Sequence, residues 1–487
     1  MRFKTTVCIL IAISIFLPTV CIANSPTTYA IIQGHLESAA EGDSITVRVY
    51  RYGMNEFADK YVGKISNGNF KIIIEQLQGP TYVTIRVCNP YSTPGQKYLI
   101  EGGDDIRITG HNRKLIYSGR GSSRLKWQDS LNLIFYDEYS NRLKAKDGDA
   151  LKQLASVYDC LDSICDMQLK YLSTKKSNLS PVVFTLLQMD LLAQAEAQKD
   201  YYIIYSNSRK DASTLQIMRQ SLNGYHNRGW KHLANLIELH PDVAAASASV
   251  YGCIFSRYNI DSFLIQGKPF NTSQYVDYLI KNYPGLLREK LLVSVISDRR
   301  HRDSDLATTI SKARVYIKNA DFLKLVSQIG ARNTAGVKAF NFNLSDSDGE
   351  MHRLSDYKSK VVVVDFWYTG CANCIGMNRK LKEIEQSFKQ DTNLVFVSIS
   401  TDPNKKMWME SMKTGKYTTD DRVNLYTNGQ GTSYPMISYH SITAYPTLLL
   451  IDKEGNLAEN VVDPRLDGGN SLIKTIKKEL SKQPKVD

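Results

Sequence analysis

The sequence predicts a multidomain chain: an N-terminal antiparallel β domain, an α-helical middle domain and a C-terminal α/β domain. Three features lead there. Alternating apolar and polar residues dominate the first part, helical spacing of apolar residues dominates the middle, and near-continuous apolar runs separated by a helical stretch mark the end. With 487 residues the chain has room for about three domains of ordinary size. Its composition, 43% hydrophobic and 23% charged, speaks against disordered and collagen-like classes.

Residues 1–23 have the build of a secretory signal peptide. Arg2 and Lys4 precede an apolar run from Val7 to Phe16, followed by Pro18 and small residues around Ala23. The run is shorter than the ~20 apolar residues a membrane span needs. Cys21 raises the alternative of a lipidated N-terminus. Pro18 and Val20, however, stand where a lipobox carries Leu and a small residue, so cleavage after Ala23 fits better. The expectation is an exported protein of the periplasm or cell envelope, soluble or N-terminally anchored. The formal charge of +12 is spread among acids, with no tract resembling a nucleic-acid motif, so a solvated basic surface is expected and nucleic acid is not.

Residues 28–118 read as a β-sandwich-like domain. Ser44 to Tyr50 and Tyr82 to Val87 alternate, and Tyr98 to Ile108 reads as two strands joined by a Gly-Asp turn. Residues 119–333 read as helical, with amphipathic stretches at Leu151–Leu172, Val182–Lys199, Gly229–Leu239 and Gln274–Ile280, and a break at Asn282-Tyr283-Pro284-Gly285. Cys160 and Cys165 point to different sides of such a helix, so buried thiols are expected over a disulfide.

Residues 334–487 form the third domain. Val361 to Trp367 is an apolar run suited to a strand buried on both faces. A helix from Ala372 to Gln390 and a second buried strand from Leu394 to Ile399 complete a βαβ unit. Thr447 to Asp452, a strand near Leu457–Val462 and a helix from Ser471 to Leu480 close the layer.

Cys371-Ala372-Asn373-Cys374 sits at the junction of the first buried strand and its helix. Three residues apart at a helix start, the two sulfurs share one side of the first turn and can form a disulfide. Unpaired N–H groups and the helix dipole favour a thiolate at Cys371, the expected nucleophile; Cys374, one turn in, is the expected resolving thiol. Asp365, an acid after four valines in a buried strand, is placed to exchange protons with that thiol. Pro446 precedes an apolar strand, where a cis peptide would bring backbone close to the sulfurs. Trp367, Tyr445 and Thr447 are the candidate substrate contacts.

The set Asp365-Phe366-Trp367-x-x-x-Cys371-x-x-Cys374 with Tyr445-Pro446-Thr447 resembles the thioredoxin superfamily. The preceding Phe340-Asn341-Phe342 to Asp348-Gly349 hairpin and Leu354-Ser355-Asp356-Tyr357-Lys358 are similar to the extracytoplasmic TlpA-like and ResA-like oxidoreductases. The resemblance implies a thioredoxin-like fold for the third domain, attack by Cys371, resolution by Cys374, Asp365 as the proton-transfer acid and Pro446 as a cis-proline beside the redox site. It also implies disulfide-containing envelope proteins as substrates and a membrane-linked thiol donor. Gly370 stands where the family commonly carries Trp, and Ala372-Asn373 replaces Gly-Pro. This neutral dipeptide, without the cationic help of a His, points to a reductant over a strong oxidant.

No cofactor or metal is expected. A structural zinc needs a second Cys or His pair of knuckle spacing, and haem attachment needs His where Ile375 stands. A scaffold with a regulatory or inert disulfide and a disulfide isomerase are the alternatives to a reductase.

Overall fold

A computed structural model describes residues 28–88, 91, 95–142, 150–207, 230–266, 270–460 and 462–483. The leader read from residues 1–23 lies outside them. The chain divides into two compact units, one of residues up to Tyr136 together with Thr174–Val183, the other of Asp137–Ser173 together with Phe184–Asp487.

In the first unit eight strands form two four-stranded sheets: β1 Thr28–Leu36, β2 Ser44–Tyr50, β3 Ala58–Lys64, β4 Asn69–Leu77, β5 Thr81–Arg86, β6 Tyr98–Ile100, β7 Asp105–His111 and β8 Lys114–Arg120. Their orders are β4-β1-β7-β8 and β3-β2-β5-β6. The alternation sets the faces. On β4, Phe70, Ile72 and Ile74 are buried while Lys71, Ile73 and Glu75 are exposed. Ile32, Ile72 and Ile106 of one sheet and Val47, Val83 and Ile85 of the other share one core.

One detail departs from the sequence reading: the pairing is antiparallel except between β1 and β7, which run parallel. The turn expected after Tyr98–Ile100 joins two strands, β6 and β7, and carries the chain from one sheet to the other, so β7 enters beside β1 in the same direction. Gly34 permits that approach, because a Cβ there would lie 1.8 Å from the Ile108 carbonyl oxygen.

Helices follow: α1 Ser122–Arg142, α2 Ala150–Ser173, α3 Pro181–Asn207, α4 Trp230–Leu239, α5 Pro241–Ala246, α6 Val250–Asn259, α7 Thr272–Asn282, α8 Gly285–Arg299, α9 Leu306–Arg314 and α10 Ala320–Asn333. The break between α7 and α8 falls at Tyr283-Pro284, where proline cannot continue a helix. Cys160 and Cys165 on α2 are buried and remain thiols, and burial pushes Cys165 up to about 12. Among the described residues no helix is long and apolar enough to cross a membrane.

The C-terminal part holds a six-stranded sheet built from β9 Asn343–Ser345, β10 Met351–Arg353, β11 Val361–Trp367, β12 Leu394–Ser400, β13 Val423–Tyr426 and β14 Thr447–Ile451. The helices among them are α11 Ala372–Gln386, α12 Lys405–Lys413, α13 Pro435–Tyr439, α14 Pro464–Asp467 and α15 Asn470–Ser481. The strand order is β10-β9-β13-β12-β11-β14. β11, β12 and β13 are parallel; β14 and β9 are antiparallel to their neighbours.

Every residue of β11 is buried, as its central place between β12 and β14 requires. At about 1.5–3 kcal/mol for each fully buried Val or Phe, this strand is a principal source of the domain's stability. The strand expected near Leu457–Val462 does not form among the described residues of that stretch. Pairing there is limited to bridges at Asn456 and Leu457, because Leu457 N–H is taken by the Val337 carbonyl and Ala458 N–H by that of Leu450.

Within this second unit the helical and sheet parts meet at the loop before β14. The buried Arg300, just past α8, donates through Nε to Ser441 O (2.8 Å) and through Nη2 to Thr443 Oγ1 (2.6 Å). Asn460 Nδ2 donates to the carbonyls of Arg300 and Asp303 (2.8 and 3.0 Å). His440, fully buried, bridges Phe340 N–H and the Arg332 carbonyl, and burial pushes it down to about 4, so it stays neutral at physiological pH.

Candidate redox site

β11 delivers the chain to the sheet's end, and a turn through Tyr368-Thr369-Gly370 leads into α11. Gly370 has φ +96°, a conformation that favours glycine. Cys371 is the N-cap of α11, with Sγ accepting from Cys374 N–H at 3.1 Å. Cys371 and Cys374 are joined by a disulfide, their Cα atoms 5.2 Å apart. Cys371 is 5% exposed and Cys374 1%, so the first cysteine is the less enclosed of the two. A thiolate at Cys371 would sit at the positive end of a helix of 15 residues and accept a backbone N–H already aimed at it.

Alternation along β11 decides where Asp365 points. Val362, Val364 and Phe366 pack into one core; Val361 and Val363 pack with Met377, Leu381 and Ile384 of α11, and Trp367 packs with both cysteines. Asp365 shares the second face, beneath the helix that carries Cys374. It is 2% exposed, and neither carboxylate oxygen has a hydrogen-bond partner among the described residues. Burial raises its carboxyl to about 7, opposed by Arg422 and Arg465 and reinforced by Glu385. Arg422 is in turn paired with Glu385.

The Tyr445–Pro446 peptide is cis. Tyr445 packs against the cysteine cluster and sets its ring edge-on to exposed Tyr368, 5.3 Å between centroids. Thr447 is largely buried, its Oγ1 donating to Ala444 O at 2.7 Å. Trp367, read from the sequence as a substrate contact, is instead fully buried. Its Nε1–H donates to Ser398 Oγ at 2.8 Å, and its ring stacks on Tyr417, 5.0 Å away. It backs the cysteines and presents no surface to a substrate.

Four residues that sequence reasoning missed hold the approach to Cys371. Asp402, the second residue past β12 and 1% exposed, accepts from Thr369 N–H (2.7 Å), Thr369 Oγ1 (2.8 Å) and Ser400 Oγ (2.9 Å). Ser411 Oγ lies 2.6 Å from the same threonine hydroxyl. Gly370 N–H donates to the Tyr417 hydroxyl (2.9 Å), so Tyr417 both pins the turn and stacks on Trp367. Arg465 of α14 reaches the dipeptide itself, Nη1 donating to Asn373 O (3.0 Å) and Oδ1 (3.2 Å). An acid two residues past a buried strand was the one signal in the sequence that could have picked out Asp402. Among the described residues no cluster of His, Cys, Asp and Glu could hold a metal ion.

A βαβ core with a disulfide capping the connecting helix, a buried acid on the preceding strand and a cis-proline loop beside it defines a thioredoxin-like domain. A model of the family described as Thioredoxin-like matches residues 359–457. The chain is 25% identical over 135 residues to the thiol-disulfide oxidoreductase ResA of Bacillus thuringiensis, covering 26% of this chain and 69% of the relative. It is 26% identical over 165 residues to ResA of Geobacillus kaustophilus, covering 30% and 86%. Among solved structures, the thioredoxin domain of a thiol-disulfide oxidoreductase from Bacteroides vulgatus is 24% identical and covers 30% of this chain and 99% of its own, with a TM-score of 0.27. The C-terminal part of the chain thus holds a thioredoxin-like domain, similar to thiol-disulfide oxidoreductases.

Proposed function

We propose that the protein is an exported disulfide reductase that cycles Cys371 and Cys374 between dithiol and disulfide. The observation that carries this reading is the disulfide at the N-cap of α11, lying above a buried acid that has no hydrogen-bond partner of its own among the described residues. In the reduced protein the Cys371 thiolate attacks a substrate disulfide, forming a mixed disulfide and releasing one substrate thiolate, which takes up a proton. Cys374 passes its proton to the Asp365 carboxylate and attacks Cys371 Sγ. The second substrate sulfur then leaves as a thiolate and is protonated. Two electrons and two protons reach the substrate, and the protein is left oxidised.

A thiol donor must then restore the dithiol; a membrane-linked one fits the resemblance, with disulfide-containing envelope proteins as substrates. The neutral Ala372-Asn373 dipeptide favours the reducing direction. The full chain should reduce an insulin-type disulfide with dithiothreitol as electron source, and its equilibrium with glutathione should lie on the side of oxidised protein. A double Cys371→Ser, Cys374→Ser variant that matches the wild type would sink the enzyme reading. A pair well above the glutathione potential would make it an oxidant.

A further inference from the structure

Sequence alone leaves the dipeptide between the cysteines without a charged neighbour. The fold supplies one from 92 residues downstream. Arg465 stands at the start of α14, a short helix packed on α11, and its guanidinium is divided between two jobs. Nε and Nη2 are held by the Asp463 carboxylate (3.0 Å from Nε to Oδ1, 2.6 Å from Nη2 to Oδ2), while Nη1 points at Asn373, donating to both its backbone and side-chain oxygens. The stem of Arg465 crosses α11 at Gly376, where a Cβ would lie 3.6 Å from its Cδ. That distance is ordinary packing contact, so the stem lies directly against the helix.

The anchor is itself anchored. Asp463 follows the segment in which Asn460 is tied to the carbonyls of Arg300 and Asp303, and Arg302 adds a positive field at Asp463. Arg465 pairs with Asp463, whose carboxyl is held below the usual range despite burial, its side-chain and backbone bonds to Arg465 opposing the desolvation. The guanidinium is therefore fixed in place over the first turn of α11 and not swinging in solvent.

We infer that Arg465 is a positioning residue of the redox centre: it fixes Asn373 and supplies, from outside the motif, the positive charge that favours a Cys371 thiolate. The inference rests on the thiol-disulfide reading above. The other charged groups around the cysteines leave room for such an effect. Arg422 is paired with Glu385; Asp463 offsets part of the Arg465 charge on the side of Nε and Nη2 and leaves Nη1 turned to the first turn of α11; Asp402 is occupied by Thr369 and Ser400, Asp365 is a buried acid beneath α11, and Tyr417, Tyr426 and Tyr445 bring only hydroxyls. A cation that favours the thiolate stabilises the reduced state, so Arg465 makes the pair less reducing than it would otherwise be. Arg465 also opposes the rise of the Asp365 carboxyl, so one side chain bears on both the nucleophile and the proton acceptor.

The test uses the full chain. In Arg465→Gln the fraction of Cys371 thiolate, read by ultraviolet absorbance and by iodoacetamide rate, should fall about tenfold at pH values below the wild-type midpoint. The dithiol–disulfide equilibrium should move about tenfold toward disulfide, about 30 mV for a two-electron couple. Arg465→Lys, which keeps the charge and loses the fork, should recover most of the thiolate fraction. Asn373→Ala, at an exposed position where misfolding is not an issue, should give a smaller change in the same direction. The shift should shrink at high salt, because the guanidinium is partly exposed. Folded Arg465→Gln protein that titrates and equilibrates like the wild type overturns the assignment, as does a lysine variant that recovers nothing. A wild type that exchanges no thiols at all refutes the oxidoreductase reading instead, so the two failures are distinguishable.

Discussion

Replacing Asp365 by Asn separates the cost of a buried charge from its use. In the folded protein burial holds this carboxyl at about 7, against 3.8 for an unhindered one. Between those values the folded state keeps a proton that the unfolded chain has released. Stability contributed at low pH is therefore lost as pH rises through that window, and the full burden is present above about 7. At about 1.4 kcal/mol for each tenfold change in proton affinity, the ceiling is about 4 kcal/mol. The asparagine of the variant would carry no charge, but a buried amide left without hydrogen-bond partners costs about 1–3 kcal/mol. The net expectation is a gain of about 2 kcal/mol at pH 8 that vanishes or reverses near pH 4. Denaturant unfolding of the oxidised protein, wild type against variant at each pH, gives the difference directly. Disulfide exchange should meanwhile slow, most at neutral and lower pH, where the resolving thiol needs a base. A stability difference that is the same at pH 4 and pH 8, or unchanged rates from pH 5 to 9, would refute the assignment of a buried, proton-handling acid.

Other perturbations test the surroundings. Gly370→Ala should destabilise the protein by about 1–2 kcal/mol through its left-handed backbone alone, since nothing lies within 4 Å of the added Cβ; an unchanged melting temperature would contradict this. Asp402→Asn keeps one oxygen for Thr369 N–H but removes the charge and puts an NH2 where the Thr369 and Ser400 hydroxyls donate, so both must turn, and it should lower the rate of attack on disulfides at least tenfold without changing global helix content. A variant as fast as wild type would remove Asp402 from the site's framework. Thr443→Val cuts one of the bonds by which Arg300 holds the loop before Pro446, and should slow reduction of a protein disulfide more than of a small aromatic disulfide. Equal slowing of both would mean the loop does not guide polypeptide substrates.

The parts of this architecture that were legible in the sequence are those written in local pattern. The buried run of β11, the turn to a helix and two cysteines three apart announce themselves over about a dozen residues, because a strand buried on both faces must be apolar throughout. Alternation likewise marked β2 and β5. What escaped depends on partners remote in sequence. Nothing in the local pattern around Leu457 distinguishes a strand from an extended segment whose N–H groups are claimed one at a time, as happens at Leu457 and Ala458. Trp367 ends the buried run beside a redox motif and was read as a substrate contact, and the arrival of Tyr417 from the loop after α12 shows that its ring is covered. The parallel pairing of β1 with β7 depends on a crossing between sheets that turn residues alone do not encode. Asp402, Tyr417 and Arg465 reach the site from 33, 47 and 92 residues beyond their partners, and only the fold brings them there.

The most direct test of the central claim, that Cys371 attacks and Cys374 resolves, is covalent trapping in cells that produce the protein. Cys374→Ser leaves the nucleophile at the helix N-terminus and removes the thiol that clears the mixed disulfide. Non-reducing gels with mass spectrometry should then show disulfide-linked partners on Cys371 that vanish on reduction, and Cys371→Ser should trap far fewer, because Cys374 is 1% exposed. Equal trapping by both variants would contradict the roles assigned to the two cysteines, and trapping by neither would contradict the reductase.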